Sequence, residues 1–169
     1  MDSPHEVSTT QFQTEQIEYL KKQLAECERG LEQARQENEA LRASETRFRR
    51  FLDESTDPIF AIDEDGQYVH VNWAFASGVH RPAEQIIGRR IWDVFSQEEG
   101  DRRFSAVRAV LASGQTRNIE VRVDAGGETR WYLTTVKVLG EYPWPRRVVL
   151  CISKDITERK QAEDDVRAS

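Results

Sequence analysis

The chain has 169 residues, a net charge of −6, 32% charged and 38% apolar side chains. With a pI of about 5.2, that balance argues against a general nucleic-acid binder, which carries a basic face. The longest apolar run, Val148–Ile152, is far too short for a membrane span. The N-terminus MDSPHEVSTTQ has neither a basic start nor an apolar stretch, so no secretory signal is expected. Cys27 and Cys151 make no disulfide framework and no metal-ligand spacing, which points to a reducing, cytoplasmic compartment. The length holds one ordinary domain with an extension.

Residues 1–12 carry Ser, Thr and Pro without periodicity and are expected to be disordered. From Gln13 to Leu52 there is no proline and a single glycine, Gly30, among good helix formers. Alternating steps of three and four from Ile17 give Ile17, Leu20, Leu24, Cys27, Leu31, Ala34, Asn38, Leu41, Glu45, Phe48 and Leu52. Only Asn38 and Glu45 in that series are polar, while nearly everything between its members is. So narrow a seam fits a coiled coil over 13–52. Asn38 falls at an a position, where an amide meeting its symmetry mate selects a parallel dimer. Glu37 and Arg42 sit where they pair across parallel chains, and Glu45 marks where the coil loosens. The expected interface is Ile17, Leu20, Leu24, Leu31, Asn38 and Leu41. A single amphipathic helix folded back on the domain stays open as an alternative.

A compact domain is expected over 53–157. Asp57-Pro58 breaks the helix, Ile59–Asp63 reads as a strand, Asp63-Glu64-Asp65-Gly66 as a turn, and Gln67–Asn72 as the returning strand. Asn72, just before Trp73-Ala74-Phe75, is placed to cap a helix. Gly78, Pro82 and Gly88 punctuate short helices through Phe95. Glu98–Ser113 reads as a longer helix with Phe104, Val107, Val110 and Leu111 on one face, stopped by Gly114. Strands follow over Gln115–Asp124 and Thr129–Leu139, then a loop at Gly140–Pro145 and an apolar strand, Arg147–Ser153. Two strands, several helices and three strands specify an α+β fold: one antiparallel sheet with helices on one face. Asp155 with Glu158 three residues on has capping-box spacing, so an output helix is expected over 158–169.

No nucleophile elbow, zinc-protease helix or phosphate-binding glycine loop is present, and the chain reads as non-enzymatic with no metal site. Asp63 and Glu64 read as solvated turn carboxylates. Arg89-Arg90, Arg102-Arg103 and Arg146-Arg147 read as scattered solvated arginines.

The lead-in Phe-Leu-Asp-Glu-Ser-Thr-Asp-Pro-Ile from Phe51, the Asp-Glu-Asp-Gly turn and Val71-Asn-Trp-Ala-Phe resemble the PAS sensory-domain family. So do Glu84-Gln-Ile-Ile-Gly-Arg-Arg-Ile-Trp-Asp-Val-Phe and the closing Asp155-Ile-Thr-Glu-Arg-Lys-Gln-Ala-Glu. The resemblance covers about Phe51–Lys160. It implies a five-stranded PAS fold with a cavity between sheet and helices. It also implies parallel homodimers through flanking helices, and relay to an effector such as a histidine kinase, in cis or in trans, as in two-component signalling. Asp155, Ile156 and Thr157 would be the signal junction.

The resemblance also orders the cofactor question. The cysteine of flavin photosensors is missing after Asn72, and the long helix lacks the histidine that haem-binding relatives often use, which disfavours haem although His70 and His80 exist. Trp73 and Trp92 leave non-covalent flavin open, but no cofactor at all is the leading expectation. The candidate pocket is Ile62, Val71, Trp92, Phe95, Phe104, Val107, Leu111, Val121, Leu133, Thr135 and Cys151. That apolar list suits an apolar or aromatic ligand better than a charged one, and a core filled by its own side chains is the competing reading.

Overall fold

The computed structural model describes residues 4–139 and 146–169. The expected loop at Gly140–Pro145 and the first three residues lie outside the described residues. The chain divides into two units, residues 1–48 and 49–169.

The first helix, α1, runs Pro4–Asp53. Residues 4–12, expected to be disordered, are helical. Proline at the first helical position costs no hydrogen bond, so Pro4 starts the helix rather than breaking it. At about 1.5 Å per residue its contour is roughly 75 Å. Ile17, Leu20, Leu24, Leu31 and Leu41 are all exposed along it.

The second unit is a five-stranded antiparallel sheet in the order β2-β1-β5-β4-β3. Its strands are β1 (Ile59–Asp63), β2 (Tyr68–Val71), β3 (Arg117–Ala125), β4 (Glu128–Val138) and β5 (Val148–Asp155). Four helices cross over between β2 and β3: α2 (Trp73–Gly78), α3 (Ala83–Ile86), α4 (Ile91–Val94) and α5 (Gln97–Ser113). A last helix, α6, runs Thr157–Ala168. Ser96 caps α5 by accepting from the Glu99 amide at 3.4 Å, and Gly114 ends it in the left-handed region at φ 68°.

The core lies between α2–α5 and one sheet face. Phe60, Tyr68 and Phe75 stack there, with ring centroids 4.5–6.1 Å apart. Ile86, Ile91, Val110 and Val149 are wholly buried with them.

Two local readings are corrected. Asp63 is not solvated: it is buried, and its Oδ1 accepts from the amides of Asp65 at 3.0 Å and Gln67 at 2.9 Å. Arg146 approaches its other oxygen at 3.7 Å. Asp155 is not the residue flanking α6. Ile156 takes that place, and no Glu158 side chain closes a capping box.

Candidate functional site

The sheet face turned to the helices is fixed by pairing. Val121 opposes Tyr132, Thr134 opposes Ser153 and Val136 opposes Cys151. Strand side chains alternate, so Tyr132, Thr134 and Val136 point inward while Leu133 and Thr135 point to the other face. That corrects their placement in the pocket. Leu133 instead borders Ile156 and Thr157 on the far side, and the Thr135 hydroxyl donates to Asn118 Oδ1 at 2.8 Å.

A small cavity opens on the inner face. Phe60, Phe75, Val79, Phe95, Val121, Val123 and Tyr132 supply its apolar wall, and Arg103, Thr134 and Ser153 its polar groups. The space between them is about 40 Å³, enough for a few waters or a small group. Thr134 and Ser153 hydroxyls are buried and share a 2.8 Å hydrogen bond.

Of the residues expected to line a pocket, Phe95 and Val121 do so. Ile62, Val71, Val107, Leu111 and Cys151 belong to the closed core. Burial pushes the Cys151 thiol up to about 12, as expected of an unreactive core cysteine. Trp92 and Phe104 lie elsewhere, packed edge-to-face at 5.1 Å with Trp92 against the Gly66 turn and Gly100. A Cβ at Gly100 would meet Trp92 Cδ1 at 2.5 Å, so only glycine lets the indole lie on α5. Its Nε1 donates to Asp101 Oδ1 at 2.8 Å. Trp73 is solvent-facing, and neither tryptophan lines the cavity.

Arg103 is what the sequence reading missed. Arg102 is exposed, but Arg103 is largely buried, its guanidinium carbon 4.0 Å from the Phe95 ring centroid. Burial pulls its pKa down, against the opposing pull of Tyr68 and Glu99. Burial also raises the Tyr68 phenol, which the Arg103 charge partly offsets. The helical face offered a signal: Arg103 precedes Val107 by four residues and Val110 by seven, which puts it on the buried stripe of α5.

Two hydrogen-bonded junctions tie the flanking helices to the sheet. Asn72 is fully buried and uses its whole amide. Oδ1 accepts from Ile59 N at 2.9 Å and Phe75 N at 3.0 Å, and Nδ2 donates to Leu52 O at 2.9 Å and Asp57 O at 3.0 Å. The side chain expected to cap α2 thus also ties the end of α1 to the start of β1. The Trp73 amide adds a bond to Asp53 Oδ1 at 2.8 Å.

At the other junction, Asp155 Oδ1 accepts from the Thr157 amide at 2.8 Å and the Thr157 hydroxyl at 2.5 Å. The Thr157 oxygen in turn accepts from Trp131 N at 3.0 Å, and Ile156 N donates to Trp131 O at 2.8 Å. Asp155, Ile156 and Thr157 therefore pin the start of α6 to β4. Lys160 Nζ lies 5.4 Å from the Trp131 ring centroid and 2.6 Å from Glu120 Oε2. Hydrogen bonding to Lys160 is the main reason the Glu120 carboxyl titrates low.

With the sheet order, the helical crossover and the inner-face cavity in view, comparison with known proteins is decisive. A family model described as PAS fold matches residues 52–161. The chain belongs to the PAS family. Domains of this family are non-catalytic sensory modules, and among the described residues no group of three or more His, Cys, Asp or Glu is placed to hold a metal.

The PAS chain is 28% identical over 125 residues to the uncharacterized protein y4lL of Sinorhizobium fredii, covering 72% of this chain and 15% of that protein. It is 27% identical over 143 residues to a methyl sulfide methyltransferase-associated sensor of Methanosarcina acetivorans, covering 74% and 12%. It thus spans less than one sixth of either curated relative. Among solved structures, the PAS domain of an HTR-like protein from Haloarcula marismortui superposes with a TM-score of 0.56 at 21% identity, covering 72% of this chain and 99% of that one. Among the described residues no helix is long and apolar enough to cross a membrane.

Proposed function

We propose that this PAS chain is a cytoplasmic sensory relay that dimerises through a parallel coiled coil of α1 and passes a change in the domain to an effector, a histidine kinase in cis or in trans. The observation that carries the reading is the pair of junctions. Asn72 bonds the end of α1 to β1, and Asp155-Ile156-Thr157 bond the start of α6 to β4. A shift of the sheet then moves both helix ends, and a dimer converts that into rotation or register change along paired helices. The exposed heptad series, with Asn38 at an a position, supports the parallel pair.

The second reading is a ligand-free dimerisation or scaffolding module, favoured by a cavity of about 40 Å³. A flavin's three-ring system does not fit that space unless the cavity opens, and neither tryptophan that left flavin open lines it. The test joins a kinase catalytic core after α6 and steps the join one residue at a time. The relay reading expects autophosphorylation to rise and fall with helical period; a flat response contradicts it.

A further inference from the structure

The two edges of the sheet are β2 and β3. An edge strand carries a row of unpaired amides and carbonyls, and folds shorten, kink, charge or cover such edges to keep other chains away. The β2 edge is protected in this way. It has four residues, and its pairing with β1 shifts register between Ala61 and Ile62. The link from α3 to α4 runs along it: Tyr68 N donates to Arg89 O at 2.9 Å and Gly88 N to Tyr68 O at 2.8 Å.

The β3 edge has none of these covers. It holds nine residues, Arg117–Ala125, without proline or lysine, and pairs with β4 residue for residue. Among the described residues no loop or turn hydrogen bond reaches its far side. Its sequence is also self-complementary. Turned antiparallel on itself about Val121, the strand sets Glu120 opposite Arg122 on the outer face and Ile119 opposite Val123 on the inner face, each at both ends of the pair. Opposite charges facing each other across strands stabilise the pairing, and like charges destabilise it. Centring on Glu120 instead sets that carboxylate against itself. Centring on Arg122 sets the guanidinium against itself and Glu120 against Asp124. The salt bridges already present are compatible with the Val121 register. Arg159 and Lys160 hold Glu120 at 3.0 and 2.6 Å and are shared with Glu163, while Arg122 pairs with Asp124 at 3.2 Å. Setting the Arg122–Asp124 pair of a second copy beside the Glu120 group brings together three carboxylates (Glu120, Glu163, Asp124) and three cations (Arg159, Lys160, Arg122).

We propose that β3 is a second interface between copies of this chain: an antiparallel β3–β3 pair centred on Val121 that joins two sheets into one of ten strands, five from each copy. The interface goes beyond the relay reading and stands on β3 alone, independently of how α1 pairs.

The test introduces cysteines at Asn118 and Asp124, both exposed, in a full chain carrying Cys27→Ser. In the proposed pair these two positions face each other. Directly opposed residues of an antiparallel pair have Cα atoms about 4.5 or 5.5 Å apart, and both separations are within disulfide reach. Two copies of either position alone are offset by six residues (124 − 118), roughly 20 Å. Mild oxidation should therefore link the Asn118→Cys, Asp124→Cys chain into a species of twice 19.6 kDa and leave each single variant at 19.6 kDa. Adding Arg122→Glu, which sets two carboxylates opposite each other, should lower the linked yield severalfold. No link in the double variant, equal linking in either single variant, or an unchanged yield with Arg122→Glu each overturns the proposal. If the double variant does not fold, the unmodified chain decides. Raising its concentration should slow amide hydrogen exchange in β3 severalfold, and exchange there that is independent of concentration overturns the proposal.

Discussion

Residues 13–48 and the PAS domain use apolar side chains in opposite ways. In the domain, Ile86, Ile91, Val110 and Val149 are sealed from solvent and hold one chain together. In the helix, Ile17, Leu20, Leu24, Leu31 and Leu41 are each more than half exposed, yet their spacing is as regular as any in the core. In the proposed dimer, a second copy of the same seam covers these side chains. Apolar periodicity in the domain is matched by burial within one chain, whereas the heptad series of α1 is exposed along its length.

The largest expected effect breaks the helix while sparing the domain. Leu24→Pro or Leu31→Pro removes a helical hydrogen bond and clashes with the preceding turn, at about 3 kcal/mol or more. Light scattering should then report a monomer while circular dichroism retains the sheet; an unchanged dimer would place the interface elsewhere. The converse variant is Asn72→Ala, which strips four hydrogen bonds from inside the domain. It should lower domain stability by about 3 kcal/mol in urea titrations, with helix pairing intact at low denaturant.

Asp155→Ala tests whether the output junction is a clasp. Losing the bonds to Thr157 should cost about 1 kcal/mol and speed hydrogen exchange along α6 without changing exchange in β1. Asn38→Leu replaces a seam amide by an apolar side chain, and should raise the melting temperature while loosening strand number. A less stable, strictly dimeric variant would contradict the buried-amide reading.

The smallest effect is a pH dependence confined to the domain. Burial, and then Arg49, hold the His70 pKa below the ordinary imidazole value, with Asp53 opposing. The unfolded chain therefore takes up the proton first. The contribution of neutral His70 is complete above about pH 6.5 and is lost as the pH falls through its lower folded value. His70→Gln should flatten the acid side of the stability profile, and an unchanged acid limb would remove His70 from that account.

Much of the domain was legible because its punctuation is local. Gly66 at φ 79° closes the first hairpin and Gly114 at φ 68° ends α5, both positions where only glycine sits without strain. Asn72 could be read as a cap from its place before Trp73, though not as the tie to Leu52 and Asp57, which depends on chain segments 15 to 20 residues away. The facing of β4 was not legible. Trp131 and Leu133 on one side mirror Tyr132 and Thr134 on the other, so alternation gives no sign of which row is inside. Pairing with Cys151 and Ser153 decides it. Arg102 and Arg103 are the same residue type side by side, and only the phase of α5 tells them apart.

The seam itself offers the most direct test. Cys27 occupies a d position and is exposed, whereas Cys151 is buried. In a parallel, in-register pair the two Cys27 thiols face each other within disulfide reach. Mild oxidation of the dilute full chain should give a covalent species of twice 19.6 kDa that Cys27→Ser abolishes. A chain that stays at 19.6 kDa after oxidation, or links equally well without Cys27, would contradict a parallel helix pair.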